Sequence, residues 1–298
     1  MIRVLAFGIL MLPGVMVQPS WAQSTPHVVQ AATVPFSGAL DEQVPGNGLP
    51  TAEQKCVWTL DQAIGSGDTI VGYVHSENNH DNVYMAPRAI VDNNGMSYTL
   101  TPPVSWQPWN EAITIFYLTN IQGNPTSFTF DFTQYPATEP TILGPCNFGL
   151  VEYSGVTSVT VAGPTQSGEA NPAIEISPTA PALIWAFAAD VANISNQNTD
   201  LLQNSGFSTL LDNWATDNIM VWGSSDLIQT SPVTLTVYAP GGDACFKSIV
   251  AGGCPTVLAA VALQGAHTAQ DPPPAAMNSP KQSKAKAAIE ALCKALGL

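Results

Sequence analysis

The chain has 298 residues, 45% of them hydrophobic and only 10% charged, and carries a net charge of −14. That is enough apolar material for a sizeable core, and the scarcity of charge beside 23 Gly and 25 Pro argues for a strand-built protein over a helical one. Between residues 23 and 271 only Lys55, Arg88 and Lys247 stand against 21 acids, a balance that repels phosphate backbones and anionic membranes and excludes nucleic-acid binding.

Met1-Ile2-Arg3 places a positive charge before an apolar run over residues 4–17, and Ser20-Trp21-Ala22 supplies a small-residue cleavage site. These are the parts of a secretory signal peptide covering residues 1–22. The apolar run is short of the roughly 20 residues a spanning helix needs, and Pro13-Gly14 interrupts it. No later stretch is long and apolar enough to span a bilayer, so the expected location is secreted, extracellular or periplasmic.

Residues 23–50 contain Pro26, Pro35, Pro45-Gly46, Gly48 and Pro50, and read as an extended lead with one edge strand over 28–34. From 51 to 268 the signal is strands. They are expected over 57–60, 69–75, 88–91, 96–101, 112–119, 147–153, 181–188, 218–222 and 256–264, the last being central and buried on both sides. Phe128, Phe130 and Phe132 alternate with Thr129, Asp131 and Thr133, as do Val233, Leu235 and Val237 with Thr234, Thr236 and Tyr238; each pattern marks a strand with one apolar face. Asp92-Asn93-Asn94-Gly95 is a hairpin turn. One helix is expected within the body, over residues 200–213, where leucines recur around Gly206.

Ten to twelve short strands of this kind predict an all-β fold, a two-sheet antiparallel sandwich. Residues 269–279 form a Pro-rich linker. Residues 280–298 then open with a capping box at Ser279-Pro280-Lys281-Gln282 and place Ile289, Leu292, Cys293 and Leu296 on one face. With Lys281, Lys284, Lys286 and Lys294 against one acid, this is a short basic C-terminal amphipathic helix on an acidic body.

In an exported chain the five cysteines are disulfide candidates before they are metal ligands. The four in the body allow three connectivities. Cys245 with Cys254 closes a short Gly-rich loop, Cys56 with Cys146 follows by elimination, and Cys293 is left free or for an intermolecular bond.

His75, Glu77, His80 and Asp81 are the densest group that could hold a divalent metal, without the spacing of a helical zinc site. Oxygens of Asp81, Asn82, Asp92 and Asn93 suit calcium; no other cofactor is expected. Asp131 and Glu152 are the acids best placed for glycoside hydrolysis, which needs two carboxylates facing one cleft, although strand acids usually sit on the wet face of a sheet. A Gly-x-Ser-x-Gly elbow, phosphate loops and dinucleotide fingerprints are absent. Trp106 and Trp109 occupy a Pro-containing loop, where tryptophans stack on sugars or anchor a protein; Trp58, Trp185 and Trp222 fall in strands and are expected in the core.

Taken in order, Gly67-Asp68-Thr69-Ile70-Val71, Asp92-Asn93-Asn94-Gly95-Met96-Ser97-Tyr98-Thr99, the aromatic strand 113–117, Glu152-Tyr153-Ser154-Gly155 and the Ala/Val-rich strand 257–263 resemble a group of exported bacterial β-sandwich modules, mostly of unassigned function. The likeness covers residues 52–265. It implies a jelly-roll-like sandwich and carries over no catalytic residues.

The expectation is therefore a secreted or cell-surface, non-enzymatic module for adhesion or ligand binding, with a glycan or protein as ligand and Trp106 and Trp109 as its contacts. The alternative is a carbohydrate-active enzyme using Asp131 and Glu152. The tail suggests dimerisation through the C-terminal helix or Cys293.

Overall fold

The computed structural model describes residues 25–34, 42–44, 54–78, 84–106, 111–135, 143–167, 172–190, 204–213, 219–228, 230–237 and 256–265. Among them are seventeen strands and no helix. In chain order they are β1 (His27–Val34), β2 (Glu42–Val44), β3 (Gln54–Thr59), β4 (Thr69–Asn78), β5 (Tyr84–Asp92), β6 (Thr99–Leu100), β7 (Val104–Trp106), β8 (Glu111–Leu118), β9 (Ser127–Tyr135), β10 (Leu143–Ser154), β11 (Val156–Ser167), β12 (Ala173–Ile176), β13 (Ala182–Asp190), β14 (Phe207–Asn213), β15 (Ile219–Ser224), β16 (Val233–Thr236) and β17 (Thr256–Gly265).

They form four antiparallel sheets. The first runs β1-β10-β4-β8-β6, with β7 also on β8; the second runs β2-β3-β9-β5; the third runs β11-β17-β13-β15-β14; the fourth is the pair β12-β16. Gly155, at φ +78°, turns the chain from β10 in the first sheet to β11 in the third, a conformation that glycine adopts without the cost a Cβ would bring.

Alternation along the strands shows how the sheets stack. On β10, Phe148 and Leu150 join a core with Trp58, Phe128, Phe130 and Phe132 of the second sheet, whereas Val151 and Tyr153 join Trp185, Phe187 and Val261 of the third. On β13 and β17 of the third sheet, Leu183, Trp185, Phe187 and Val257 face the first sheet, while Ile184, Ala186, Leu258 and Ala260 face Ile176 and Leu235 of the fourth. The layers therefore run second, first, third, fourth.

The two inner sheets are apolar on both faces, because each must cover a neighbour on either side. This is the physical reason the described residues form four sheets where the sequence suggested two. Residues 256–264 are buried throughout, as expected for a central strand. The aromatic rings use glycines opposite them. A Cβ at Gly72 would enter the Phe116 ring, and one at Gly149 would enter the Tyr73 ring.

One expected helix is corrected. Residues 207–213 are β14, paired with β15 from Phe207 opposite Ser224 to Asn213 opposite Ile219. Gly206, at φ +84°, turns the chain into that strand, and Leu211 packs into the core as a strand residue. The lead 23–50 contributes β1 and β2 to the two sheets. The signal segment 1–22, the linker 269–279 and the helix expected over 280–298 lie outside the described residues, as do Cys245, Cys254 and Cys293.

Candidate functional site

Glu152 lies on β10 in the row of Phe148 and Leu150, facing the second sheet, and is only 1% exposed. A buried carboxyl group needs partners, and three residues from two segments supply them. The Gly65 backbone N–H donates to Oε1 at 2.6 Å. Gln30, opposite Glu152 in the β1 to β10 register, donates its Nε2 to Oε2 at 2.5 Å. Asp68 shares a further hydrogen bond with the Glu152 carboxyl.

The loop that brings in Gly65 and Asp68 is held by backbone bonds. Leu60 N–H donates to Thr126 O at 2.8 Å, Ile64 N–H to Pro125 O at 2.9 Å, Gly67 N–H to Ile121 O at 2.7 Å and Ile121 N–H to Asp68 O at 2.9 Å. Residue 65 must be glycine for the approach to close. A Cβ there would strike Asp68 Oδ2 and come within 3.2 Å of Glu152 Oε1.

Burial raises the Glu152 pKa above its ordinary 4.5; the bonds from Gly65 and Gln30 pull it down, and Asp68 pushes it up again by its hydrogen bond and its charge. The net direction is upward. Two acids in contact are stabilised by a proton between them, so the site is a proton-holding clasp that joins β1, β10 and the loop 60–68.

Beside the clasp lies a groove of about 350 Å³ lined by residues 30–33 of β1 and 58–62 of β3 and the loop after it. Among the described residues it lies between two strand ends that no further strand covers. β1 is the edge of the first sheet, and β2 covers β3 only from Lys55 to Val57, so Trp58 and Thr59 extend beyond it. Gln30, Thr33, Thr59, Asp61 and Gln62 give the groove its polarity. Trp58 is no stacking platform for a sugar; its ring stacks on Phe148 at 6.2 Å and 17° inside the core.

The expected acid pair is not brought together. Asp131 alternates with the inward Phe130 and Phe132 and binds Arg88 Nη2 at 2.8 Å on the outer side of the second sheet, whereas Glu152 lies between the sheets. No cleft is shared by the two.

Of the metal candidates, His75 is buried at 4% exposure on β4, opposite Asn147 and Ile113. The side chain of Glu77 and all of His80 and Asp81 lie outside the described residues. Among the described residues no three His, Cys, Asp or Glu side chains gather as a metal site. Two of the calcium oxygens have other work. Asp92 Oδ1 accepts from the N–H groups of Asn94 at 2.9 Å and Met96 at 3.0 Å, and Oδ2 from the Tyr98 hydroxyl at 3.2 Å. Asn93 Oδ1 accepts from Thr126 N–H at 3.0 Å and Ser127 N–H at 3.3 Å. They pin the Asn-Gly hairpin; Asp81 and Asn82 are outside the described residues.

Trp106 ends β7 opposite Glu111, but its side chain and all of Trp109 lie outside the described residues. Cys56 is fully buried between the first two sheets; the side chain of Cys146 is not among those described. Sequence reasoning missed Gln30, Gly65 and Asp68. The available signal was an acid within the apolar run Leu150-Val151-Glu152-Tyr153, which the rule of wet-face strand acids assigned to solvent.

No family model matches the chain, and no curated protein or solved structure matches it.

Proposed function

We propose that the protein is a secreted or cell-surface, non-enzymatic β-sandwich module that binds a glycan or protein ligand in the groove between β1 and residues 58–62. The observation that carries this reading is the groove itself, a polar cleft between two open strand ends. Such edges recognise extended peptides through the backbone, with side-chain groups setting specificity. The peptide form of the ligand is favoured because Trp58 keeps its ring in the core.

The first two sheets support the finer fold reading, a jelly-roll-like sandwich of the kind found in exported bacterial modules. Their pairings are nested from the ends inward: β1 with β10, β3 with β9, β4 with β8, and Val91 of β5 with Ser97. That is the order of a jelly roll. The third and fourth sheets are additions to it.

The test is an array of oligosaccharides and uncharged extended peptides, probed with the full chain. Thr59→Trp fills the groove and should weaken the best hit by at least about tenfold, or 1.4 kcal/mol. Binding that survives Thr59→Trp and is lost in Trp106→Ala plus Trp109→Ala moves the site to the connection between β7 and β8. Binding untouched by either change refutes both surfaces.

A further inference from the structure

One wall of the groove offers backbone and the other offers charge. β1 is an uncharged edge strand, His-Val-Val-Gln-Ala-Ala-Thr-Val, paired on one side with β10 and on the other with no described strand. It has none of the lysines or prolines that usually blunt such an edge, so its backbone is open to an added strand. Val28 and Val29, 40% and 49% exposed, are the exposed large apolar side chains among the described residues. They stand on this strand next to Gln30, which lines the groove.

The facing wall is acidic. Asp61, exposed in the loop after β3, is the charged side chain among the described residues that line the groove. Behind Gln30, Asp68 adds its charge at the clasp. The described cations of the body lie elsewhere. Arg88 binds Asp131 at 2.8 Å on the outer side of the second sheet. Lys55, opposite Asp131 in the β3 to β9 register, is on that same side, about 13 Å along the strand from Thr59. The wider field has the sign of Asp61, since only Lys55, Arg88 and Lys247 stand against 21 acids between residues 23 and 271. Such a field draws cations into a cleft and repels anions from it.

We infer that the ligand of this groove is an extended peptide with a lysine or arginine side chain among uncharged, partly apolar neighbours. Its backbone adds to the free edge of β1, its apolar side chains cover Val28 and Val29, and its cation pairs with Asp61. Strand alternation permits this arrangement. Every second side chain of an added strand points to the side on which Gln30 meets Glu152 and Ala32 packs against the core of the second sheet. Residues 58–62 lie on that side. Asp61 is exposed, so water partly screens its pair with the cation, which gives a severalfold preference and not an absolute one. The inference rests on the reading of the groove as a binding surface and names the chemical class that fills it.

Three sets of end-capped peptides, matched to the eight residues of β1, test it with the full chain. Each set holds valine, threonine and serine in random order around one fixed central residue, which is lysine, glutamine or glutamate. At low salt the lysine set should bind about threefold or more tighter than the glutamine set, and about tenfold or more tighter than the glutamate set. That preference should shrink in high salt, vanish in Asp61→Asn and persist in Asp61→Glu. Val28→Thr with Val29→Thr should weaken all three sets alike, as should Thr59→Trp. Equal binding by the three sets that Thr59→Trp weakens overturns the cation preference and leaves the proposed function standing. A lysine preference unchanged in Asp61→Asn belongs to the net charge of the chain and overturns the pairing. Failure of every set to bind overturns the inference outright. An oligosaccharide hit that Thr59→Trp weakens then keeps the groove as a binding surface, and the lack of one removes both readings.

Discussion

Replacing Glu152 by Gln keeps the shape of the side chain and removes its proton. In the native protein Glu152 titrates above its ordinary 4.5, chiefly through burial and then through Asp68, against the opposing bonds from Gly65 and Gln30. Below pH 4.5 the carboxyl is protonated in both folded and unfolded chains, and the stabilisation is fully present. As pH rises from there, the unfolded chain releases its proton while the folded one keeps it. Stability then falls, by up to about 1.4 kcal/mol per pH unit, until the folded group has also ionised.

Glu152→Gln cannot titrate. Its carbonyl still accepts from Gly65 N–H, its amide donates to Asp68, and the Gln30 amide turns over to present its oxygen. At pH 4 the substitution should cost no more than about 1 kcal/mol, and the difference should move in favour of the variant as pH rises. Urea unfolding of both proteins from pH 4 to 9 at fixed ionic strength, with unchanged m-values, measures that difference directly. A difference that is flat with pH, or that moves against the variant, would refute the clasp as a proton holder. Glu152→Ala should cost about 3–5 kcal/mol at pH 4, because two donors lose a buried acceptor, and less as pH rises, since alanine does not titrate either. Asp68→Asn should shrink the pH dependence by removing the charge that raises Glu152.

Three further substitutions probe the stack. Gly72→Ala puts a Cβ 2.5 Å from the Gly149 carbonyl and into the Phe116 ring, and should destabilise by at least about 2 kcal/mol in urea. Tyr153→Phe removes a buried hydroxyl that has no hydrogen-bond partner among the described residues; stability should stay level or rise by about 1 kcal/mol, and a fall in the urea midpoint would mean that the hydroxyl is satisfied. Cys146 lies on β10 two residues before Phe148, and Cys56 is buried in the core that Phe148 joins. Non-reducing peptide maps should join the peptides of Cys56 and Cys146, and the Cys146→Ser chain should lose about 4–5 kcal/mol, the value for a loop of that length.

Most strands were legible because their apolar residues alternate or run unbroken. Phe128, Phe130 and Phe132 turn inward as a set, and 256–264 is buried as read. The Asn-Gly hairpin sits where the sequence put it, with Gly95 at φ +82°. The number of layers was not legible. An unbroken apolar strand such as Ala182–Asp190 says that both faces are covered, but not by what. Around 200–213 the leucine spacing imitated a helix, while β-pairing to β15 decided the conformation. The site escaped for another reason. Gln30 and Gly65 lie 122 and 87 residues from Glu152 in sequence, so only the fold makes them neighbours.

The clasp and the groove share one residue, which would tie the binding proposed above to protons. Gln30 lines the groove and donates to Glu152 at 2.5 Å. A ligand that takes the Gln30 amide for itself removes one of the two bonds that lower the Glu152 pKa. The carboxyl then holds its proton more tightly in the complex than in the free protein. Linkage is reciprocal, so such a ligand binds best below the Glu152 pKa and loses affinity as pH rises through it. Calorimetry in two buffers of different ionisation enthalpy should detect proton uptake on binding, and Glu152→Gln should abolish it. Among its described side chains β1 contributes little buried surface: Pro26 before it is buried, and Gln30, Ala32 and Thr33 are half-buried. Its attachment therefore leans on the β10 ladder and on this clasp, so a proton that tuned the affinity of such a ligand would also bear on how firmly this wall of the groove is held.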